Sequence, residues 1–187
     1  MLFGVVLTFD GTTETTIRRT WEALAEAGVS SSMLVEGLRP HLSLCVCDKL
    51  DVEGLQDELS SYMTTISPFP LLLSSIGIFP TEEGILFFGV TVTKELLSLH
   101  AAVHRLFEEH AKKPWPHYCP LSWVPHCTLA VGLSPSKITK AVSISRGASL
   151  PIHAQAEALK IIKVSRVGYE TLFSHTLAGS KRGTINA

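Results

Sequence analysis

The spacing of hydrophobic and polar residues changes repeatedly along the chain, and each change predicts a switch between strand and helix. Segments in which apolar residues run together or alternate with polar ones predict strands at 3–9, 41–47, 71–79, 85–93, 124–132, 154–164 and 169–177. Segments in which apolar residues recur every three or four positions predict helices near 13–27, 52–65, 94–113 and 135–145. Thr12 or Thr13 is the expected N-cap of the first helix, and Pro114 is expected to end the third. The proline-rich segment 114–125 is predicted to be irregular, and the strands at 71–79 and 85–93 are predicted to pair as an antiparallel hairpin.

A repeat with an offset of 85 residues relates the two halves of the chain. It superposes Pro40-His-Leu-Ser-Leu44 on Pro125-His-Cys-Thr-Leu129, and Phe3-Gly-Val-Val-Leu-Thr8 on Phe88-Gly-Val-Thr-Val-Thr93. The same offset aligns the helices near 13–27 and 98–112 and the strands at 71–79 and 156–164. We therefore expect an α+β fold, a single domain over residues 1–187 made of two pseudo-symmetric αβ lobes with antiparallel sheets around a central cleft. The first repeat spans about 1–84 and the second about 85–187.

Length and composition indicate one folded domain and argue against several function classes. The 187 residues are 45% hydrophobic and 18% charged, which provides enough apolar surface for a core. The formal net charge is −1, so no overall positive field attracts extended nucleic acid, and any nucleic-acid partner should be short or bound at one end. The first residues include no basic region of a signal peptide, and no apolar run approaches the roughly 18–20 residues that span a bilayer. We expect a cytoplasmic monomer without a membrane partner.

The repeated motifs carry residues suited to acid–base chemistry. Residues i and i+2 of a strand project to the same face, so His41 should point with Ser43 and His126 with Thr128. A neutral imidazole can accept a proton from an attacking water while a second, protonated imidazole protonates the leaving oxygen. Hydroxyl groups can donate hydrogen bonds to non-bridging phosphate oxygens. This set of groups predicts hydrolysis of a phosphodiester without a metal. The alternative is that the histidines are hydrogen-bonded core residues and the hydroxyls belong to ordinary strand positions.

On these motifs the chain resembles the 2H phosphoesterase superfamily, the group of 2'-5' RNA ligase-like proteins and cyclic nucleotide phosphodiesterases. The mark of that group is a pair of His-x-Thr/Ser motifs on duplicated lobes, matched here by His41-Leu-Ser43 and His126-Cys-Thr128. The resemblance implies a hydrolase of RNA processing that needs no cofactor. It would cleave 2',3'-cyclic, 1'',2''-cyclic or 2'-5' phosphodiester bonds on a small nucleotide or RNA end, with the two histidines as acid and base.

The chain departs from some members of this group at Ser43, which replaces Thr but keeps the hydroxyl, and in the segment after the second motif. Some ligase-like members carry an arginine shortly after the second motif, where this chain has Ala130-Val-Gly-Leu133. Arg39 or a distant lysine would then have to supply the charge that faces the phosphate. Trp115 and Tyr118 can stack on a base, and Tyr169 is a candidate for the cleft wall, although all three can instead pack their loops.

Several alternatives stay open. Zinc ligands are available in principle at His41, Cys45, Cys47, His117, Cys119 and His126. Their spacing lacks the two-to-four-residue gaps of zinc knuckles, so we expect no metal, and free buried thiols at Cys45, Cys47, Cys119 and Cys127. The cleft can also belong to a non-catalytic module that binds a nucleotide or an RNA end, or join RNA ends by the reverse reaction. Because the pseudo-symmetry offers both histidines the same role, the sequence leaves open which is the acid, and it leaves the exact substrate open.

Overall fold

The computed structural model describes residues 1–79, 81–165 and 168–177. Within these residues the elements follow in the order β1 (Leu2–Phe9), α1 (Gly11–Glu26), β2 (His41–Leu50), α2 (Val52–Met63), β3 (Pro70–Phe79), β4 (Ile85–Val90), α3 (Lys94–His110), β5 (Ala111–Pro114), β6 (His126–Ala130), α4 (Pro135–Ser145), β7 (Ile152–Ser165) and β8 (Gly168–Thr176). Short 3-10 turns lie at Pro116–Tyr118 and Arg146–Ala148. Residues 178–187, with which the predicted second repeat ends, and Pro80 of the predicted hairpin turn lie outside the described residues.

Every predicted strand and helix is present, several with boundaries shifted by a few residues, and two of these differences have local reasons. The N-cap of α1 is Asp10 rather than Thr12 or Thr13, because the Asp10 carboxylate accepts a hydrogen bond from the backbone N–H of Thr13 at 3.0 Å. The third helix ends at His110 instead of continuing to residue 113. The next four residues extend as β5 and pair with β2, which satisfies their backbone groups without a further helical turn.

Two antiparallel sheets share the long strand β7. One sheet has the order β5-β2-β1-β7-β8, and the other has the order β7-β3-β4-β6. Helices α2 and α3 pack on the first sheet, and α1 and α4 pack on the second. The fold is therefore α+β with antiparallel pairing, as the sequence predicted.

Both halves of the chain contribute to each sheet. The order strand, helix, strand, helix, strand occurs once from β1 to β3 and again, with β5 inserted, from β4 to β7. However, β3 of the first half joins the sheet of β4 and β6, and β5, β7 and β8 of the second half join the sheet of β1 and β2. The predicted boundary near residues 84 and 85 therefore does not separate two spatially distinct units. That residues 85–187 are a duplicate of residues 1–84 stays a prediction.

The core lies between the sheets and their helices. The largest fully buried side chains are Trp21 of α1, Phe9 of β1, Phe88 of β4 and Phe107 of α3. Burial of such apolar side chains from water supplies the main favourable free energy of folding. None of the helices in the described part of the chain is long and apolar enough to cross a membrane.

Candidate active site

Each motif begins a strand in the same local environment. His41 is the first residue of β2 and lies opposite Thr8 of β1, whereas His126 is the first residue of β6 and lies opposite Gly89 of β4. In both strands the histidine and the residue two positions later are half-buried, and the residue between them is fully buried in the core. Each histidine therefore lies on the same strand face as its hydroxyl partner, and that face is turned away from the core.

The two imidazoles are oriented by equivalent hydrogen bonds. Nδ1 of His41 lies 2.7 Å from the carbonyl oxygen of Arg39, and Nδ1 of His126 lies 2.7 Å from the carbonyl oxygen of Val124. A carbonyl oxygen only accepts, so Nδ1 carries the proton and donates it in both rings. In the neutral state Nε2 then has a free lone pair in each ring. Both histidines are prepared in the same way to exchange a proton at Nε2.

The histidines lie close enough for their charges to interact. Burial lowers the pKa of His41 below its ordinary value, and the charge of His126 lowers it further, although the hydrogen bond to Arg39 opposes both. Burial also lowers the pKa of His126, against the hydrogen bond to Val124. Strands β2 and β6 contact each other directly. The site therefore holds two imidazoles that are both mostly neutral near pH 7.

The hydroxyl groups of Ser43 and Thr128 are available to a ligand. Neither side chain makes a hydrogen bond to another residue in the part of the chain that the structure describes, and both are half-buried. Their backbone carbonyls, in contrast, each accept a hydrogen bond from a tryptophan in the other half of the chain. Trp21 of α1 donates from Nε1 to the Thr128 carbonyl at 3.1 Å, and Trp123 donates from Nε1 to the Ser43 carbonyl at 2.9 Å.

The ring of His100 in α3 stacks on the indole ring of Trp123. The two rings are stacked with centroids 3.9 Å apart and planes 2° apart. Nε2 of His100 lies 3.1 Å from the carbonyl oxygen of Leu44 and 3.0 Å from that of Tyr118, so it donates a proton shared between two backbone segments. Burial lowers the pKa of His100 despite these hydrogen bonds, so the ring is mostly neutral near pH 7. This buried group joins β2 to the loop that precedes β6.

We expect Trp123→Phe to lower the free energy of unfolding by about 0.5–1.5 kcal/mol, because the Ser43 carbonyl loses its indole donor. Trp115→Phe is the matched control, since the Trp115 indole donates to the Asp48 carboxylate at 3.2 Å in an exposed position. There the loss should stay within about 0.5 kcal/mol. Chemical denaturation of both variants measures the difference. Equal losses of unfolding free energy would show that the hydrogen bond from Trp123 to Ser43 does not stabilise the fold.

The two sides of the cleft have different chemical character. On one side the ring of His126 meets Phe79 edge-on, with centroids 4.9 Å apart, and lies 5.2 Å from the ring of Phe87. On the other side a small pocket beside His41 has polar side chains in its wall, among them Lys160 and Tyr169. The local symmetry of the two motifs therefore does not extend to the walls around them.

Tyr118 and Tyr169, two of the residues predicted to bind substrate, are both half-buried. Burial raises the pKa of both phenols, and the charges of Glu83 and Tyr169 raise that of Tyr118 further. Tyr169 also lines the pocket beside His41. Both phenols are neutral near pH 7 and can donate a hydrogen bond or present a ring face. Their role in binding substrate stays a prediction.

Trp115 lies away from the histidines. Its backbone N–H donates to the carbonyl of Val46, and its indole binds Asp48, near the end of β2 opposite His41. At about 3.3 Å per residue, Asp48 is roughly 20 Å along the strand from His41. The pairing of β5 with β2 causes this placement, because it fixes residue 115 at the sheet edge. The structure does not bring this candidate base-stacking residue to the site.

Arg39 precedes the first motif but is already paired. Its Nε donates to a carboxylate oxygen of Glu14 at 2.8 Å, and its Nη2 binds the same oxygen. Arg18 donates to the other oxygen of that carboxylate at 3.0 Å. Burial raises the pKa of Glu14, but the hydrogen bonds from the two arginines outweigh this effect and lower it below its ordinary value. The Arg39 charge is thus compensated within the protein, and its predicted role toward a phosphate would require this ion pair to open.

The cysteines are free thiols. Cys45, Cys47 and Cys127 are buried as expected, but Cys119 is only half-buried. Burial raises the pKa of Cys45 well above its ordinary value, that of Cys47 to about 11 and that of Cys127 to about 12. The buried thiols are therefore protonated near neutral pH. Over 1–79, 81–165 and 168–177, no group of three or more His, Cys, Asp or Glu side chains is arranged to hold a metal ion, so the zinc alternative finds no ligand set there.

Several residues that shape the site were not among the predicted site residues: Trp21, Phe79, Phe87, Trp123 and Lys160. Only the lysine left a readable signal. Lys160 alternates with Ala158 and Ile162 along β7, and both of these neighbours are buried. A charged residue on an otherwise apolar strand face is a candidate for a functional role. The aromatic residues gave no such signal, because they are ordinary core residues by composition.

Comparison with known proteins identifies a family and several structures of similar fold. The family model described as the 2'-5' RNA ligase superfamily matches residues 13–168. No curated protein matches the chain. Among solved structures, TT0787 of Thermus thermophilus has a TM-score of 0.66 at 15% identity, over 97% of this chain and 100% of that one. LigT of E. coli in apo form has a TM-score of 0.61 at 11% identity, over 94% and 96%. LigT complexed with 3'-AMP has a TM-score of 0.60 at 13% identity, over 94% and 96%.

These structural likenesses establish the fold, and the family model covers both motifs and most of the chain between β1 and β8. The chain therefore belongs to the 2'-5' RNA ligase superfamily of 2H phosphoesterases.

Proposed function

We propose that the protein is a metal-independent phosphodiesterase that opens a 2',3'- or 1'',2''-cyclic phosphate, or cleaves a 2'-5' phosphodiester bond, on a small nucleotide or RNA end. The observation that carries this proposal is the pair of equivalent imidazoles, each with Nδ1 bound to a carbonyl and Nε2 left free. Phosphoesterase or ligase-like chemistry is the activity of the superfamily. Structures of LigT complexed with 3'-AMP, NADP+ and ATP support a small nucleotide as the ligand class.

The residues of the site suffice for a balanced hydrolysis. A water attacks phosphorus as the neutral histidine takes one of its protons at Nε2, while the protonated histidine gives its Nε2 proton to the departing ribose oxygen. A bond from the water oxygen to phosphorus forms, and the bond from phosphorus to the ribose oxygen breaks. The Ser43 and Thr128 hydroxyls donate to the non-bridging oxygens, on which negative charge changes during the reaction. The equivalent hydrogen bonds of the two histidines leave the acid and base roles unassigned.

Product analysis of the EDTA-treated protein tests this function. Suitable substrates are 2',3'-cyclic nucleotides, ADP-ribose 1'',2''-cyclic phosphate and 2'-5' oligoadenylate. Turnover that persists in EDTA supports the proposal, and the product identifies the bond and the position of the remaining phosphate. Turnover that EDTA abolishes and a divalent metal restores contradicts the metal-independent mechanism. Nucleotide binding without any turnover would favour the alternative, a non-catalytic module that uses the same cleft.

We expect kcat/KM to follow a bell-shaped pH profile with its optimum below about pH 6.5, the ordinary histidine pKa. Below the lowered histidine pKa values both rings are protonated and no base remains; above them both are neutral and no acid remains. On the alkaline limb kcat/KM should fall about tenfold per pH unit. Rates measured at constant ionic strength check this, and an optimum above about pH 7.5 would be inconsistent with two histidines whose pKa values are lowered.

A further inference from the structure

The pocket beside His41 has a cationic wall that the mechanism above does not use. It is lined from the sheet by Thr8 of β1, Lys160 of β7, and Tyr169 and Thr171 of β8, and from the preceding loop by Leu38 and Arg39. The sheet register places Lys160 of this pocket in line with Ser43 of the first motif. Ser43 lies opposite Val6, and Val6 lies opposite Lys160, so the three residues form one row across β2, β1 and β7. With strands about 4.8 Å apart, Ser43 and Lys160 are roughly 10 Å apart at their Cα atoms.

Lys160 is the cation in this pocket that lacks a protein partner. Arg39 and Arg18 share the Glu14 carboxylate, whereas Lys160 makes no hydrogen bond or ion pair among the described residues. Glu14, Glu157 and Arg39 are the charged groups near enough to act on its ammonium. Burial and the Arg39 charge lower its pKa against the two carboxylates, so its ammonium would gain from a bound anion. The Tyr169 and Thr171 hydroxyls, which also have no partner in that part of the chain, add hydrogen-bond donors.

The corresponding place beside His126 has the opposite character. The row Ser43, Val6, Lys160 corresponds to a row of Thr128, Phe87 and Gly77 in the other sheet. A Cβ atom at Gly77 would lie 2.3 Å from the Phe87 ring, so the aromatic ring occupies the space that a side chain would need. One flank of the reacting phosphate is therefore cationic and the other is aromatic. This difference would favour one direction of binding for an asymmetric substrate over the other.

We propose that the pocket formed by Lys160, Tyr169 and Thr171 binds a second phosphate group of the substrate, separated by one nucleoside from the phosphodiester that reacts. This proposal rests on the proposed function for the identity of the reacting group. It specifies the substrate class as a nucleotide or RNA end with phosphates on both sides of a nucleoside. A cyclic mononucleotide with a free 5'-hydroxyl would leave the pocket empty and bind more weakly.

Calorimetric binding of two product-like nucleotides tests the pocket without relying on turnover. The wild-type protein should bind adenosine 3',5'-bisphosphate about tenfold more tightly than 3'-AMP, the scale of one hydrogen bond between charged groups. Lys160→Met should abolish this advantage and leave the affinity for 3'-AMP nearly unchanged, whereas Lys160→Arg should retain most of it. Lys163→Met is the matched control, because Lys163 lies on the same strand but pairs with Glu170 at 3.2 Å.

Each outcome decides the proposal separately from the catalytic function. Equal wild-type affinities for the two nucleotides, an advantage that persists in Lys160→Met, or no binding of either nucleotide would overturn the second-phosphate pocket. If the protein hydrolyses cyclic nucleotides but shows no preference for a second phosphate, the proposed phosphodiesterase activity is supported and the proposed second-phosphate pocket is contradicted. If tighter binding of the bisphosphate depends on Lys160 but the protein hydrolyses no substrate, the second-phosphate pocket is supported and the phosphodiesterase activity is contradicted.

Discussion

We expect His41→Ala and His126→Ala each to lower kcat by about 10²–10⁴, the scale of general acid–base catalysis, with a much smaller effect on KM. Each variant removes an imidazole whose Nδ1 is bound to a backbone carbonyl and which shares a strand face with a hydroxyl that has no partner among the described residues. Because one ring must accept a proton while the other gives one, loss of either stops the concerted transfer. The double variant should therefore be about as slow as the slower single variant rather than slower by the product of both factors.

A third histidine provides the control for this experiment. His153 is exposed on β7, so His153→Ala should leave kcat and the free energy of unfolding nearly unchanged. Steady-state kinetics in EDTA, with folding verified by thermal denaturation, compares the three variants under one condition. Losses below about tenfold in both His41→Ala and His126→Ala would remove the acid–base assignment. A large loss in only one of them would mean that the second histidine positions the substrate or a water instead of exchanging a proton.

The motif residues were predictable because their spacing is local. In a strand the side chains of residues i and i+2 share a face whatever the neighbouring strands do, so the pairing of His41 with Ser43 followed from the sequence alone. The half-buried, buried, half-buried pattern of β2 and β6 confirms this inference. Flanking proline and leucine at both sites made the repeat visible, and the repeat in turn indicated two lobes around one cleft.

The register between strands was less accessible. The sequence offset of 85 residues holds for His41 and His126, but pairing places Thr8 opposite the first histidine and Gly89 opposite the second. Equivalent positions of β1 and β4 are thus 81 residues apart, because the segments that connect them to the motif strands differ in length. Sequence alignment superposed similar residues, whereas register depends on backbone pairing and bulges.

Long-range contacts between the two halves of the chain could not be predicted from the pattern of hydrophobic and polar residues. The exchange of β3 and β7 between sheets and the placement of Lys160 in the row of Ser43 depend on which strands meet in space. The strand β5 was hidden because its four residues continue a helical pattern, and it is stabilised by pairing with β2. The features that distinguish the two sides of the cleft are of this kind, so the sequence predicted the shared chemistry of the motifs but not their different surroundings.

Trp21→Ala should lower the free energy of unfolding by about 3–5 kcal/mol, which is a large part of the stability of a small domain. Trp21 is only 1% exposed, so the substitution leaves a cavity between α1 and the second sheet. It also leaves the Thr128 carbonyl without its indole donor. The same substitution should reduce activity at temperatures where the protein is still folded, since Thr128 is then held less firmly beside His126. Urea denaturation followed by kinetics measures both effects.

Two comparisons separate packing from hydrogen bonding in this result. Trp21→Phe keeps most of the buried apolar surface but removes the N–H donor, and we expect it to cost about 1–3 kcal/mol. Trp115→Ala deletes the same side chain where it is 37% exposed, so the loss there should be well below that of Trp21→Ala. Similar losses at positions 21 and 115 would contradict the role of α1 in joining the halves. If Trp21→Phe lowers activity while stability stays near wild type, the hydrogen bond to Thr128 acts on the site itself, because it couples a helix of the first half to a hydroxyl-bearing strand of the second.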